Sequence, residues 1–115
     1  MSFALPPAWR QQYKGAILAL AGRWTEAEPS FRAALALVEN GGVYPRERVF
    51  SSLGHALTSL GRFEEAEEFL NKALGAGDVT GNSLNGLAQL RLAQERFAEA
   101  LGFADQAIEA ARRRV

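Results

Sequence analysis

Apolar residues recur along the centre of the chain at the spacing of a helix face. Phe50, Leu53, Gly54, Leu57 and Leu60 fall three or four positions apart and form one stripe; after a short break, Phe63, Ala66, Phe69, Leu70, Ala73 and Leu74 form a second. Two amphipathic helices joined by a tight turn are predicted. Small residues at Gly54 and Ala66 fit a close approach of the two, and the Phe63 ring at the turn plugs their junction. The signature then repeats. Gly22-Arg23-Trp24-Thr25-Glu26-Ala27, Gly61-Arg62-Phe63-Glu64-Glu65-Ala66 and Glu95-Arg96-Phe97-Ala98-Glu99-Ala100 align without gaps. Ala66 and Ala100 stand 34 positions apart, while Ala27 and Ala66 stand 39 apart, so the first connection is longer by five. Self-similarity of this period means stacked supersecondary units.

The punctuation predicts helices over about 8–21, 25–39, 46–60, 63–75, 81–94 and 97–113. Thr25 with Glu28 reads as a capping box, and Pro29 falls in the same opening turn, where a missing N–H costs least. Asn40-Gly41-Gly42 ends the first unit, Pro45 suits the first position of the next helix, and Gly75-Ala76-Gly77-Asp78 ends the second unit.

These residues resemble the tetratricopeptide repeat family, whose units follow W-x2-L-G-x2-Y…A-x3-F…P. The middle unit carries Phe50, Leu53, Gly54, Leu57, Ala66, Leu70 and Ala73, with Asp78 in place of the proline. The last keeps Leu84, Leu87, Ala88, Ala100 and Ala107, with Arg91 and Ala104 where large apolar residues are usual. The first keeps Gly15, Leu18, Ala27, Phe31 and Ala34, with polar Gln11 and Lys14 on its apolar stripe. The resemblance covers about residues 8–114 and implies one all-α domain. Its form would be a right-handed α-solenoid of three helix-turn-helix repeats and six helices, with repeats near 8–41, 47–80 and 81–114. The family pattern specifies packing and leaves the ligand open.

Composition narrows the function. Lys+Arg is 13 and Asp+Glu is 13, a formal net charge of +0, which argues against a polyanion binder. There is no cysteine, so disulfides and thiolate metal sites are absent. No apolar run approaches the roughly 20 residues of a membrane span. Met1 to Pro7 carries no basic, apolar leader pattern, and a cytoplasmic address is expected. His55 is the only histidine; its helical neighbours Ser51, Ser52, Thr58 and Ser59 supply no carboxylate to orient it, so it reads as a polar groove residue. One histidine without cysteine gives no metal centre. The run Glu64, Glu65, Glu67, Glu68 suits a helix start and Arg112, Arg113, Arg114 a helix end. Gly75-Ala76-Gly77 lacks the glycine and lysine of a phosphate loop. No catalytic, cofactor-binding or metal residue is assigned, and an enzyme or metal protein is not expected. An RNA-binding helical repeat, similar in period to the pentatricopeptide family, would need more groove cations.

The stripe opposite the core stripe is polar: Arg48, Ser51, Ser52, His55, Thr58 and Ser59 in the middle unit, and Asn82, Asn85 and Gln89 in the last. In repeats of the family this chain resembles, the first helix of each unit lines the concave surface. Arg48, Ser51, Ser52, His55, Asn82, Asn85 and Gln89 are therefore expected to form a groove binding a peptide or helix of a partner protein. Some members of the family clamp a terminal carboxylate with basic groove residues; the matching places here hold Gln12, Ala16, Ser52, Asn82 and Gly86, none of them basic, which argues against that clamp. In the first helix the groove-side stripe is Trp9, Tyr13, Ala16 and Leu20. Either the helix is rotated and Trp9 and Tyr13 are core, or the groove has an aromatic end; the core placement is expected, because large aromatics are rarely left bare. The last helix carries more apolar residues than one packing face needs. With Val115 only a few residues beyond it, no covering helix is expected, which leaves Phe103 and Ile108 open. A homodimer built on that end, or on Trp9 and Tyr13 at the other, is expected.

Overall fold

The computed structural model describes residues 5–78 and 81–113. Its helices are α1 (Pro7–Leu20), α2 (Trp24–Glu39), α3 (Arg46–Ser59), α4 (Phe63–Gly75), α5 (Asn82–Ala93) and α6 (Phe97–Arg113). No strand occurs among the described residues. The expected repeat limits at 80 and 114, and Arg114 itself, lie outside them.

The turn within each helix pair is one structure built three times. Gly22 and Gly61 take φ of +75° and +78°, and the following N–H reaches back to the preceding helix: Arg23 to the Leu18 carbonyl at 2.8 Å, Arg62 to the Leu57 carbonyl at 2.9 Å. This closure requires a left-handed residue, hence glycine. The third turn closes identically, Arg96 to the Arg91 carbonyl at 2.8 Å, but with Glu95 at φ +60°. A side chain held in that conformation costs about 1 kcal/mol. Glu95→Gly is therefore expected to stabilise the fold by about 0.5–1 kcal/mol, read as a higher urea midpoint. An unchanged midpoint would mean that the glutamate side chain offsets its own strain. The arginine after each left-handed residue pairs with a glutamate three positions on: Arg23 with Glu26, Arg62 with Glu65, Arg96 with Glu99.

Three local expectations change. Helix α2 starts at Trp24 with Arg23 at its cap and no side-chain cap bond, so Thr25 lies inside the helix and no capping box forms. Glu28 instead receives Arg32 at 2.8 Å and Arg62 at 2.7 Å, tying the first unit to the second. Pro29 is the sixth residue of α2, past the opening turn; it is exposed, so its missing N–H falls on the solvent side. Pro45 caps α3 and does not occupy its first turn. Asp78, where the repeat pattern has proline, accepts a hydrogen bond from the Ser83 N–H at 2.7 Å and another from its hydroxyl, closing the start of α5.

Helices pack within pairs, α1 on α2, α3 on α4 and α5 on α6, and the pairs join where α2 meets α3, α4 meets α5 and α3 meets α5. The resulting helical solenoid measures 51 × 33 × 23 Å. Ala27, Leu53, Leu57, Ala66 and Leu70 are fully buried, as the two stripes predict. Close approach depends on glycine: a Cβ at Gly54 would lie 2.4 Å from Leu70 Cγ, and one at Gly86, in the next unit, 2.6 Å from Leu70 Cδ2. Leu70 is thus a wedge touching both α3 and α5.

Helix α1 departs from the expected core placement. Its buried residues are Ala8, Gln12 and Gly15; Trp9 is half-buried, Tyr13 is 48% exposed and Leu20 is 91% exposed. This helix packs closely on α2 and only marginally on α3, so a narrow stripe of small residues suffices to seat it. Phe103 is not left open at the far end either. It is half-buried against the core with the Arg91 guanidinium 5.8 Å from its ring centroid. The open stripe of α6 is instead Phe97, Leu101 and Ile108, each more than half exposed.

Candidate binding groove

The first helices of the three units lie along one side of the solenoid and leave a polar cleft of about 470 Å³. It is lined by Gln12 of α1, Tyr44, Arg48, Ser51, Ser52 and His55 at and within α3, and Asn82 of α5. Five of the seven expected groove residues are brought together here. Gln12 Nε2 donates to Ser52 Oγ at 2.8 Å, bridging α1 and α3. Gln12 Oε1 and Ser51 Oγ have no partner, although each residue is only 6% exposed. An unpaired buried polar group costs about 1–3 kcal/mol. Arg48 makes no ion pair among the described residues, and no carboxylate lines the cleft.

A second, apolar hollow of about 510 Å³ adjoins it, lined by Ala16, Ala19, Leu20, Trp24 and Phe31 together with Ser52 and His55. Because Ser52 and His55 border both, the two make one groove, polar at one half and apolar at the other. Ala16 and Leu20 of the α1 stripe belong to it. The Trp9 ring stands edge-on to Tyr44 at 4.7 Å and lies 5.9 Å from Tyr13. Tyr44 is the aromatic residue that lines the polar half, while Trp9 and Tyr13 line neither half. Gln12 and Tyr44 were not among the predicted site residues. Asn85 and Gln89 line an apolar hollow of about 410 Å³ between α5 and α6, with Leu92, Phe97, Leu101 and Ala104, while Gln89 also hydrogen-bonds His55 of the groove.

His55 sits at the junction of the two halves. Burial pushes its pKa below the ordinary 6.5, and a hydrogen bond with Gln89 opposes the shift. The folded protein therefore takes up the proton less readily than the unfolded chain. The resulting stability is complete above the unfolded value and is lost as pH falls through it toward the depressed folded value. Melting temperature is expected to drop between about pH 7.5 and 5.5. In His55→Gln that part of the slope should vanish; an identical slope in the variant would assign it to other groups.

A stack of helix pairs joined through neighbouring units defines a helical-repeat fold. A family model described as tetratricopeptide repeat matches residues 8–77, and a second of the same description matches residues 80–115. The chain belongs to the tetratricopeptide repeat family, whose domains are in general protein–protein interaction modules. No curated protein matches it. No helix among the described residues is long and apolar enough to cross a membrane.

Proposed function

We propose that this protein is an interaction scaffold that holds a peptide or helical segment of a partner protein in the groove formed by α1, α3 and α5. The observation that carries this reading is the two-part groove. Its apolar half offers Leu20, Trp24 and Phe31 as a seat for an aliphatic or aromatic side chain, and its polar half offers donors and acceptors for backbone or polar side-chain groups. Selection of displayed peptides on the wild-type protein supplies ligands for the test. Their affinity should fall at least about tenfold in the Arg48→Ala/His55→Ala double variant while its melting temperature stays near wild type. Unchanged affinity would remove the groove from the reading.

A second element concerns the open end. Leu101 is 68% exposed beside Phe97, Leu92 and the hollow under Ala104, an apolar surface of the kind that pairs with another molecule. On this reading two copies meet through it as a two-fold dimer burying on the order of 1,000 Å². Sedimentation equilibrium should return a dimer mass for the wild type and a monomer mass for Leu101→Glu. A monomeric wild type would sink the dimer and leave the groove reading intact.

A further inference from the structure

The two ends of the stack are built differently. Place for place along the repeats, Glu28, Glu67 and Leu101 occupy one position, and Phe31, Leu70 and Ala104 another. In the first two units the glutamate ties its unit to the next, Glu28 to Arg62 and Glu67 to Arg91, and Leu70 fits against Gly86. In the third unit a leucine, 68% exposed, replaces the acid, and an alanine replaces the wedge. The open face of α6 is thus neither a polar cap nor a seat for one more unit of the same kind. Nor does α1 of a second copy suit that seat. Arg10 and Lys14 stand in the places of Val49 and Leu53 in α3 and of Ser83 and Leu87 in α5. Those four are buried, whereas Arg10 and Lys14 are exposed. Of that face only Ile17, in the place of Ala56 and Leu90, is apolar. Docked as α3 and α5 are, α1 would carry two cations into apolar surroundings.

The stripe on α6 matches a second α6. Phe97, Leu101, Ala104, Ile108 and Ala111 recur in alternating steps of four and three, the spacing of a helix–helix seam. Two hollows of about 410 and 370 Å³ run along it on the α5 side and share Asn85 and Ala104. Laid antiparallel about a two-fold axis level with Gln106, the stripe complements itself. Leu101 falls opposite the partner's Ala111, and Ala104 opposite the partner's Ile108, so each of the four layers sets a large side chain against a small one. A parallel pair would stack leucine on leucine and isoleucine on isoleucine, with gaps at the alanines between. A shift by one heptad would set Phe97 against Ile108 or shorten the seam. The antiparallel order also opposes the helix dipoles and keeps the two Arg112–Arg113 ends apart. Its one cost is a pair of exposed Asp105 carboxylates flanking the axis, where water and salt screen them. We infer that the open face of α6 is a self-recognition surface through which two copies pair antiparallel in this register. The inference rests on the dimer reading above and adds the orientation and the contacts.

The chain has no cysteine, so single cysteines report the register. Leu101→Cys mixed with Ala111→Cys and oxidised should give the mixed disulfide. Either variant alone should give little, because in this register position 101 lies about 15 Å along the axis from its copy, beyond disulfide reach. A Leu101→Cys homodisulfide in excess of the mixed one would mean a parallel pair and overturn the proposal. An exchange of sizes gives a second readout. Leu101 and Ala111 are both exposed, so changes there leave the core of the single chain untouched. By sedimentation equilibrium Ala111→Leu should weaken the dimer at least about tenfold, by setting leucine against leucine. Leu101→Ala/Ala111→Leu, which returns one large and one small residue to that layer, should recover wild-type affinity to within about threefold. A double variant no tighter than Ala111→Leu would remove this register. A wild-type dimer indifferent to both changes would place the contact elsewhere on the molecule; either result keeps the dimer and overturns the inference. A wild type that stays monomeric would remove the dimer reading itself, and this inference with it.

Discussion

Replacing Leu70 by alanine is expected to cost about 2–5 kcal/mol, the range for deleting a fully buried leucine side chain into a site that cannot collapse. Collapse is prevented here because Leu70 fills space between backbones. Positions 54 and 86 carry no side chain that could swing into the hole, and the Leu70 methyl groups occupy the places where their Cβ atoms would stand. Melting temperature should fall by roughly 10–20 °C. The loss should also be uneven. Leu70 belongs to the second unit but contacts Gly86 of the third, and repeat stability is approximately a sum of unit and nearest-neighbour terms. Amide exchange should therefore quicken first in α5 and α6, with α1 and α2 retaining protection longest. Uniform loss of protection along the chain would mean that the three units unfold as one block. Gly54→Val should approach the same destabilisation from the opposite direction, by overpacking the same contact.

The burial of Gly54 and Leu70 was visible in the sequence, although the Leu70 contact with Gly86 was not, and the reason is instructive. Inside a stack every first helix is packed on both sides, so the apolar spacing of Phe50, Leu53, Gly54 and Leu57 maps directly onto burial. At the ends the mapping fails. Helix α1 has close packing on one side only, and Ala8 and Gly15 are enough to seat it. Its larger residues, Tyr13 and Leu20, are therefore free to face outward, although by hydrophobicity alone they outrank the glycine that is buried. In α6 the apolar excess was plain, but which residues are covered depends on Arg91, a residue no hydrophobic pattern selects. The groove shows the same division. The polar stripe of α3 could be read from its spacing, whereas the Gln12–Ser52 bond joins residues 40 positions apart and exists only once α1 and α3 lie side by side. Asn85 and Gln89 line the hollow between α5 and α6, and Gln89 also reaches His55, a link between helices that spacing along one helix does not show.

Arg91 supplies the second large expected effect. It stands one repeat after Leu57, at a place the pattern fills with a large apolar residue, and it is buried. Its guanidinium donates to Gln94 Oε1 at 2.9 Å, pairs with Glu67 and, at 3.6 Å, with Glu99, and covers the Phe103 ring. Two contributions are thus combined, an aliphatic stem filling the place of a leucine and a charged head bound to two carboxylates. They can be separated. Glu67 and Glu99 are 39% and 48% exposed, so losing their partner returns them to water and leaves no buried charge unpaired. The head is then worth little on balance, as exposed pairs generally are, and most of the stabilisation lies in the stem. Arg91→Ala should accordingly cost about 2–4 kcal/mol, while Arg91→Leu, which restores the residue of the preceding unit, should cost less than about 1 kcal/mol. Urea midpoints at low and high salt decide the matter. Equal losses in the two variants would place the stabilisation in the ion pairs, and a loss in Arg91→Leu that shrinks as salt is raised would identify their Coulombic part.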